Sequence, residues 1–132
     1  MKSKNPEEKI IGQWVNEYGS LMTIDKAKAG SFSGTYSSTT GDTGTYLVFG
    51  TYDVAPYPYS QTVAFAITWK SITGEDNAKD SVWDHASSAL SGQIQNKGEQ
   101  LIMPVIHVLS SPTRPENNWQ TSLVDKLTFI KQ

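Results

Sequence analysis

Ser33-Gly34-Thr35-Tyr36-Ser37-Ser38-Thr39-Thr40-Gly41 reads as a strand running into a loop, and the rest of the chain is ordered around it. Side chains alternate faces along a strand, so Phe32, Gly34, Tyr36 and Ser38 share one face. That face holds an aromatic ring, a gap, a phenol and a hydroxyl, where a plain core strand carries Val, Ile or Leu. Apolar walls with a few placed hydrogen-bonding groups are what a ligand cavity needs. Tyr36 and Ser38 therefore point at something, and Thr39 to Asp42 are placed to close over it.

Upstream, Ile10 to Asn16 is a short strand with Ile10, Gly12, Trp14 and Asn16 on one face. A Trp beside a Gly suits the closed end of a small barrel. Asn16 differs, because an inward amide must be satisfied when buried. Either a ligand or the turn Glu17-Tyr18-Gly19 does that. Ser20 to Lys26 is the second strand, with Ser20, Met22 and Ile24 inward and Ser20 near Asn16 across the hairpin. Met1 to Lys9 is polar and is expected to be a flexible tail, so one barrel domain runs from Ile10 to Gln132.

Downstream, Thr45 to Tyr52 is apolar on both faces, which calls for cover on both sides. A Pro-rich turn follows. Thr62 to Lys70 alternates, with Val63, Phe65, Ile67 and Trp69 inward. Trp69 comes last, at a rim, and suits a ligand wall or the core equally. Ser71 to Ser87 is the longest connection, with room for one helical turn and for a second lid. Ser88 to Gln95 and Gln100 to Leu109 form a hairpin around Asn96-Lys97-Gly98. The latter strand places Leu101, Met103, Val105, His107 and Leu109 on one face and Ile102, Pro104, Ile106 and Val108 on the other. Pro104 lacks an N–H, so a bulge or a missing ladder bond is expected there. In the last strand, Thr121 to Lys131, Leu123, Asp125, Leu127 and Phe129 share parity. Eight antiparallel strands with mostly short connections make an all-β protein, an up-and-down barrel with room for one small ligand.

Composition narrows the function. A chain of 132 residues buries one core. Its net charge of −2, without a basic run, argues against a nucleic-acid partner. Cysteine is absent, which excludes disulfides and thiol chemistry. No apolar run approaches the roughly 20 residues of a helical membrane span, and Met1 to Glu8 lacks the form of a signal peptide. Two histidines without a carboxylate cluster predict no metal site. Asp84, His85 and Ser87 are neighbours in sequence and do not make a triad, which is a spatial arrangement.

Several ordered blocks then carry a resemblance. They are Gly12-Gln13-Trp14-Val15-Asn16-Glu17-Tyr18-Gly19-Ser20-Leu21-Met22-Thr23-Ile24, Phe32 to Tyr36, Gly50-Thr51-Tyr52-Asp53-Val54-Ala55-Pro56, Phe65 to Lys70, Ser91-Gly92-Gln93, and Trp119-Gln120-Thr121-Ser122-Leu123-Val124. Together they resemble the avidin and streptavidin family of biotin-binding proteins over nearly everything after the tail. The resemblance implies a non-catalytic barrel with biotin as ligand and no cofactor. Asn16, Ser20 and Tyr36 match the donors to the ureido oxygen, and Ser38 the acceptor for one ureido N–H. Ser88 matches a hydroxyl near the ring sulfur, Trp69 one wall of the slot, and Trp119 a residue inserted from a neighbouring subunit. Thr39, Thr40 and Asp42 fall in the covering loop, and Leu109 is grouped with the wall. The chain departs from the pattern at Leu127, where an acceptor for the second ureido N–H is expected. Asp125, of the same parity, or a water would have to replace it. It departs again at Leu90 and His107, which stand where wall aromatics belong, and at Ala86, where a hydroxyl belongs.

These departures imply weaker binding than in the tightest members. They also leave room for another small ligand, or for a lipocalin-like carrier; an inhibitor or enzyme on a small barrel lacks any readable site. The two-sided apolar strands and Trp119 imply a homotetramer, with a homodimer as the alternative. A secreted or periplasmic protein, its signal removed, completes the expectation.

Overall fold

The computed structural model describes residues 5–37, 44–70, 72, 82–112 and 122–132. Eight strands are formed: β1 (Gly12–Val15), β2 (Leu21–Lys28), β3 (Ser31–Ser37), β4 (Thr45–Tyr52), β5 (Ser60–Thr68), β6 (Ser87–Lys97), β7 (Gln100–Ser110) and β8 (Ser122–Lys131). Each antiparallel neighbour pair follows chain order, and β1 pairs with β8 to close the barrel. The alternation seen in the sequence sets which side chains enter. Along β5, Val63, Phe65 and Ile67 are buried, while Thr62, Ala64 and Ala66 are exposed. The interior is filled by Trp14, Met22, Ile24, Phe32, Val48, Phe65, Ile94, Met103, Val105 and Phe129. Phe65 packs edge-on against Phe32 and Phe129, with ring centroids 5.9 and 6.4 Å apart. Burying each such side chain stabilises the fold by about 1.5–3 kcal/mol.

Two sequence irregularities have structural counterparts. The β2–β3 register shifts between Ile24 and Lys26, so Asp25 is an extra residue that bends β2. The bend presses β2 onto β3, and a Cβ at Gly34 would fall on the Thr23 carbonyl oxygen. That is why the face of the opening stretch has its gap. At Pro104, β6–β7 pairing is interrupted between Gly92↔Val105 and Gln95↔Ile102, with the same register on both sides. The proline therefore removes a ladder contact without a bulge.

One segment differs from the sequence expectation. Within the stretch read as a tail, Pro6–Ile10 form a helix, α1. Asn5 caps it, its Oδ1 accepting from the Glu8 N–H at 2.8 Å, and Pro6 occupies the first turn. A five-residue helix is not stable alone; docking holds it. The Tyr52 hydroxyl donates to Glu7 at 2.7 Å, and Gln61 Nε2 donates to the Pro6 carbonyl at 3.2 Å. Lys131 Nζ donates to the Glu8 and Lys9 carbonyls at 2.7 and 3.0 Å. Trp14 Nε1 donates to the Ile10 carbonyl at 2.9 Å, with both residues fully buried. Trp14 and α1 thus seal one end of the barrel. The other end carries the β1–β2 turn and the connection into β6. There a 3-10 turn, Val82–His85, supplies the short helical element expected in that connection.

Candidate functional site

At the unsealed end lies a cavity of about 190 Å³. It is lined by Asn16, Tyr18, Ser20, Tyr36, Ile67, Trp69, Leu90, His107, Leu123, Asp125 and Leu127. This is smaller than the roughly 300–1,000 Å³ of pockets for drug-sized molecules, so it suits one small ring system.

Its polar wall is built by the β1–β2 turn and β3. The Asn16 backbone N–H donates to the Ser20 carbonyl at 3.2 Å, and the Gly19 N–H to the Asn16 carbonyl at 2.9 Å. Asn16 Oδ1 accepts from the N–H groups of Tyr18 and Ser20 at 3.0 and 3.2 Å. With the carbonyl side of the amide committed to the turn, the amide orientation follows: Nδ2 faces the cavity and donates to Tyr36 Oη at 3.1 Å. The phenol, its oxygen already accepting, keeps its own proton to donate. Asn16, Ser20 and Tyr36 are all buried. The turn is both the structural use of Asn16 and what aims its Nδ2, so the two readings of this residue are compatible. Glu17 ties the same turn to β8 by accepting from the Thr128 N–H at 2.8 Å.

The opposite wall comes from β5, β6 and β7. Trp69 stands edge-on to Tyr36 and Tyr46, with centroids 5.4 and 5.0 Å apart. Its Nε1 donates to Ser88 Oγ at 2.9 Å, and His107 Nε2 lies 2.7 Å from the same oxygen. Ser88 thereby joins two lining residues without itself lining the cavity. Burial holds the His107 imidazole below its ordinary pKa, and the Asp125 carboxylate opposes that shift. Asp125 is its cross-strand partner on β8, and Leu90 its partner on β6. Leu127 is buried in the lining.

Of the residues singled out in the sequence, Asn16, Ser20, Tyr36, Trp69, Leu90, His107 and Leu127 meet at this cavity. Leu109 does not line it; half-buried, it pairs with Leu123, which does. Ser38, Thr39, Thr40, Asp42 and Trp119 lie outside the described residues. Tyr18, Ile67 and Leu123 line the cavity without having been placed in the site from sequence, and Asp125, expected only as a substitute acceptor, lines it too. Parity signalled three of them: Ile67 precedes Trp69 by two, and Leu123 and Asp125 share the face of Leu127.

A family model described as the Avidin family matches residues 4–132. The chain belongs to the avidin family. The match includes α1, so that helix is part of the family region and not an appendage. The wall of this cavity places an imidazole, His107, and a carboxylate, Asp125, opposite each other on adjacent strands.

Proposed function

We propose that this avidin-family chain is a non-catalytic biotin-binding protein that holds the ureido ring against Asn16, Ser20 and Tyr36. The observation that carries this reading is the convergence of those three side chains in one cavity, with Asn16 Nδ2 on Tyr36 Oη at 3.1 Å. Donors aimed at one carbonyl oxygen in a water-poor site act as an oxyanion hole does, stabilising charge drawn onto that oxygen. The cavity volume supports a ring-sized ligand over the long chain that a lipocalin-like carrier would hold.

Affinity is proposed to fall below that of the tightest family members. Leu127 offers no acceptor to an N–H, and an unpaired buried donor costs about 1–3 kcal/mol. Leu90 and His107 replace rings whose stacking contributes about 0.5–1.5 kcal/mol beyond area. A water is the acceptor proposed for that N–H, with Asp125 two residues from Leu127 on the same face, towards the lip. A second reading, another small ligand in the same barrel, is favoured by the His107 and Asp125 wall. Titration calorimetry with biotin, desthiobiotin and a fatty acid separates the readings. Biotin heat that drops at least about tenfold in affinity in Tyr36→Ala supports the first; biotin binding unaffected by that change, or binding of the fatty acid alone, contradicts it.

The assembly proposed is a homotetramer, with a homodimer second. Phe49, Ile106 and Val108 are exposed on the outer face, where β4 to β7 form an apolar surface, and Val124 is exposed on β8. Contiguous apolar surface of this kind marks a protein interface. Export to a secreted or periplasmic location, and the absence of nucleic-acid or membrane partners, complete the proposal.

A further inference from the structure

Asp125 is the one carboxyl side chain among the described cavity lining residues, and no Lys or Arg stands among them. Its position on β8 matters. The strand descends from Leu123, exposed at the lip, through half-buried Asp125, to buried Leu127. A ring docked on Asn16, Ser20 and Tyr36 must send any substituent out past this level. Across the β7–β8 pair stands His107. The imidazole does not neutralise the carboxylate: burial favours its uncharged form, and its Nε2 is engaged by Ser88 at 2.7 Å. Ser88 in turn takes the Trp69 N–H at 2.9 Å, which anchors the imidazole on the β6 side. Lys126 is exposed and, by alternation, lies on the outer face. The remaining titratable lining groups, Tyr18 and Tyr36, are phenols.

We propose that the Asp125 and His107 wall is a charge filter. It admits a cyclic urea with a neutral, hydrogen-bonding substituent such as an amide, and disfavours the same ring bearing a carboxylate. The inference rests on the cyclic-urea reading above and adds which members of that ligand class the site prefers. The physical basis is that a carboxylate only accepts hydrogen bonds. An amide N–H near Asp125 gains a charge-assisted bond, whereas a second carboxylate meets like charge in a partly dry cavity. Two like charges about 8 Å apart repel enough to change affinity by about twofold in bulk water, and by about thirtyfold at the effective dielectric near a protein surface.

The test is calorimetry on the full chain at neutral pH and low salt, with biotin and biotinamide, for the wild type and Asp125→Asn. The asparagine keeps the shape and can still accept from the Lys126 N–H that Asp125 holds at 2.7 Å. The wild type is expected to bind biotinamide about tenfold more tightly than biotin, and Asp125→Asn to bring the two within about twofold. The ratio is the readout, since absolute affinity can change for either ligand. Equal affinities in the wild type, or a preference that survives Asp125→Asn, overturn the filter and leave the cyclic-urea reading standing. Failure of both ligands to bind removes that reading, and the filter falls with it.

Discussion

Asn16 shows how one side chain serves the fold and the site together. Its Oδ1 closes the β1–β2 turn on two backbone N–H groups, which leaves Nδ2 aimed at Tyr36. Asn16→Asp keeps the acceptor and removes the donor, so the turn should survive while ligand affinity falls by at least about tenfold. Parallel denaturation and calorimetry check both halves of that expectation. His107 gives a pH prediction. Its pKa is lowered from the ordinary 6.5 in the folded chain, chiefly by burial. The unfolded chain therefore takes up the proton first on acidification. Stability from this group is full above about 6.5 and is lost as pH falls from there through the lowered folded value. Denaturation midpoints measured from pH 8 down to 5 should decline, and His107→Gln should flatten the decline. Gly34 is a third case: a Cβ there meets the Thr23 carbonyl and the Ile24 backbone. Gly34→Ala should cost about 2 kcal/mol or more in denaturant unfolding, by overpacking.

At the level of elements, α1 is held to the barrel by Lys131, whose Nζ takes the Glu8 and Lys9 carbonyls and lies 5.8 Å from the Trp14 ring centroid. Lys131→Met should lower stability by about 1–2 kcal/mol without changing ligand affinity, because the cavity is at the other end. Loss of ligand binding without loss of stability would contradict that division of the barrel. The elements also show why some parts were legible in sequence and others not. β5 was readable because Val63, Phe65, Ile67 and Trp69 alternate with small or polar residues over a full strand. The helix was not read, because five residues, three of them charged and only Ile10 buried, are too few to carry a periodicity. Its signals were local: Asn5 before Pro6, with Glu8 three residues after the cap. Leu109 shares the strand face of His107, yet the cavity is lined by its partner Leu123 and not by Leu109 itself. Asp125 shared the face of Leu127 and was considered only as a substitute acceptor; its place in the lining required the barrel to be closed.

For the whole molecule, the closed barrel accounts for the inner apolar face of every strand but not for the outer one. Phe49 is 59% exposed and Val124 67%, too much apolar surface to leave to solvent across several neighbouring strands. Under the assembly proposed here, sedimentation at micromolar concentration should give a tetramer. Phe49→Glu with Ile106→Glu should yield smaller species that remain folded. A wild-type monomer at that concentration would remove the assembly.

Under the function proposed here, Asn16, Ser20 and Tyr36 hold the oxygen of a cyclic urea. The most direct measurement is the isotope-edited infrared spectrum of biotin labelled with carbon-13 at the ureido carbonyl, bound to the wild type and to Tyr36→Phe. The carbonyl stretch should move below its frequency in water on binding, and Tyr36→Phe should return part of that shift. A band at or above its frequency in water, or one indifferent to the loss of the Tyr36 hydroxyl, would contradict the account.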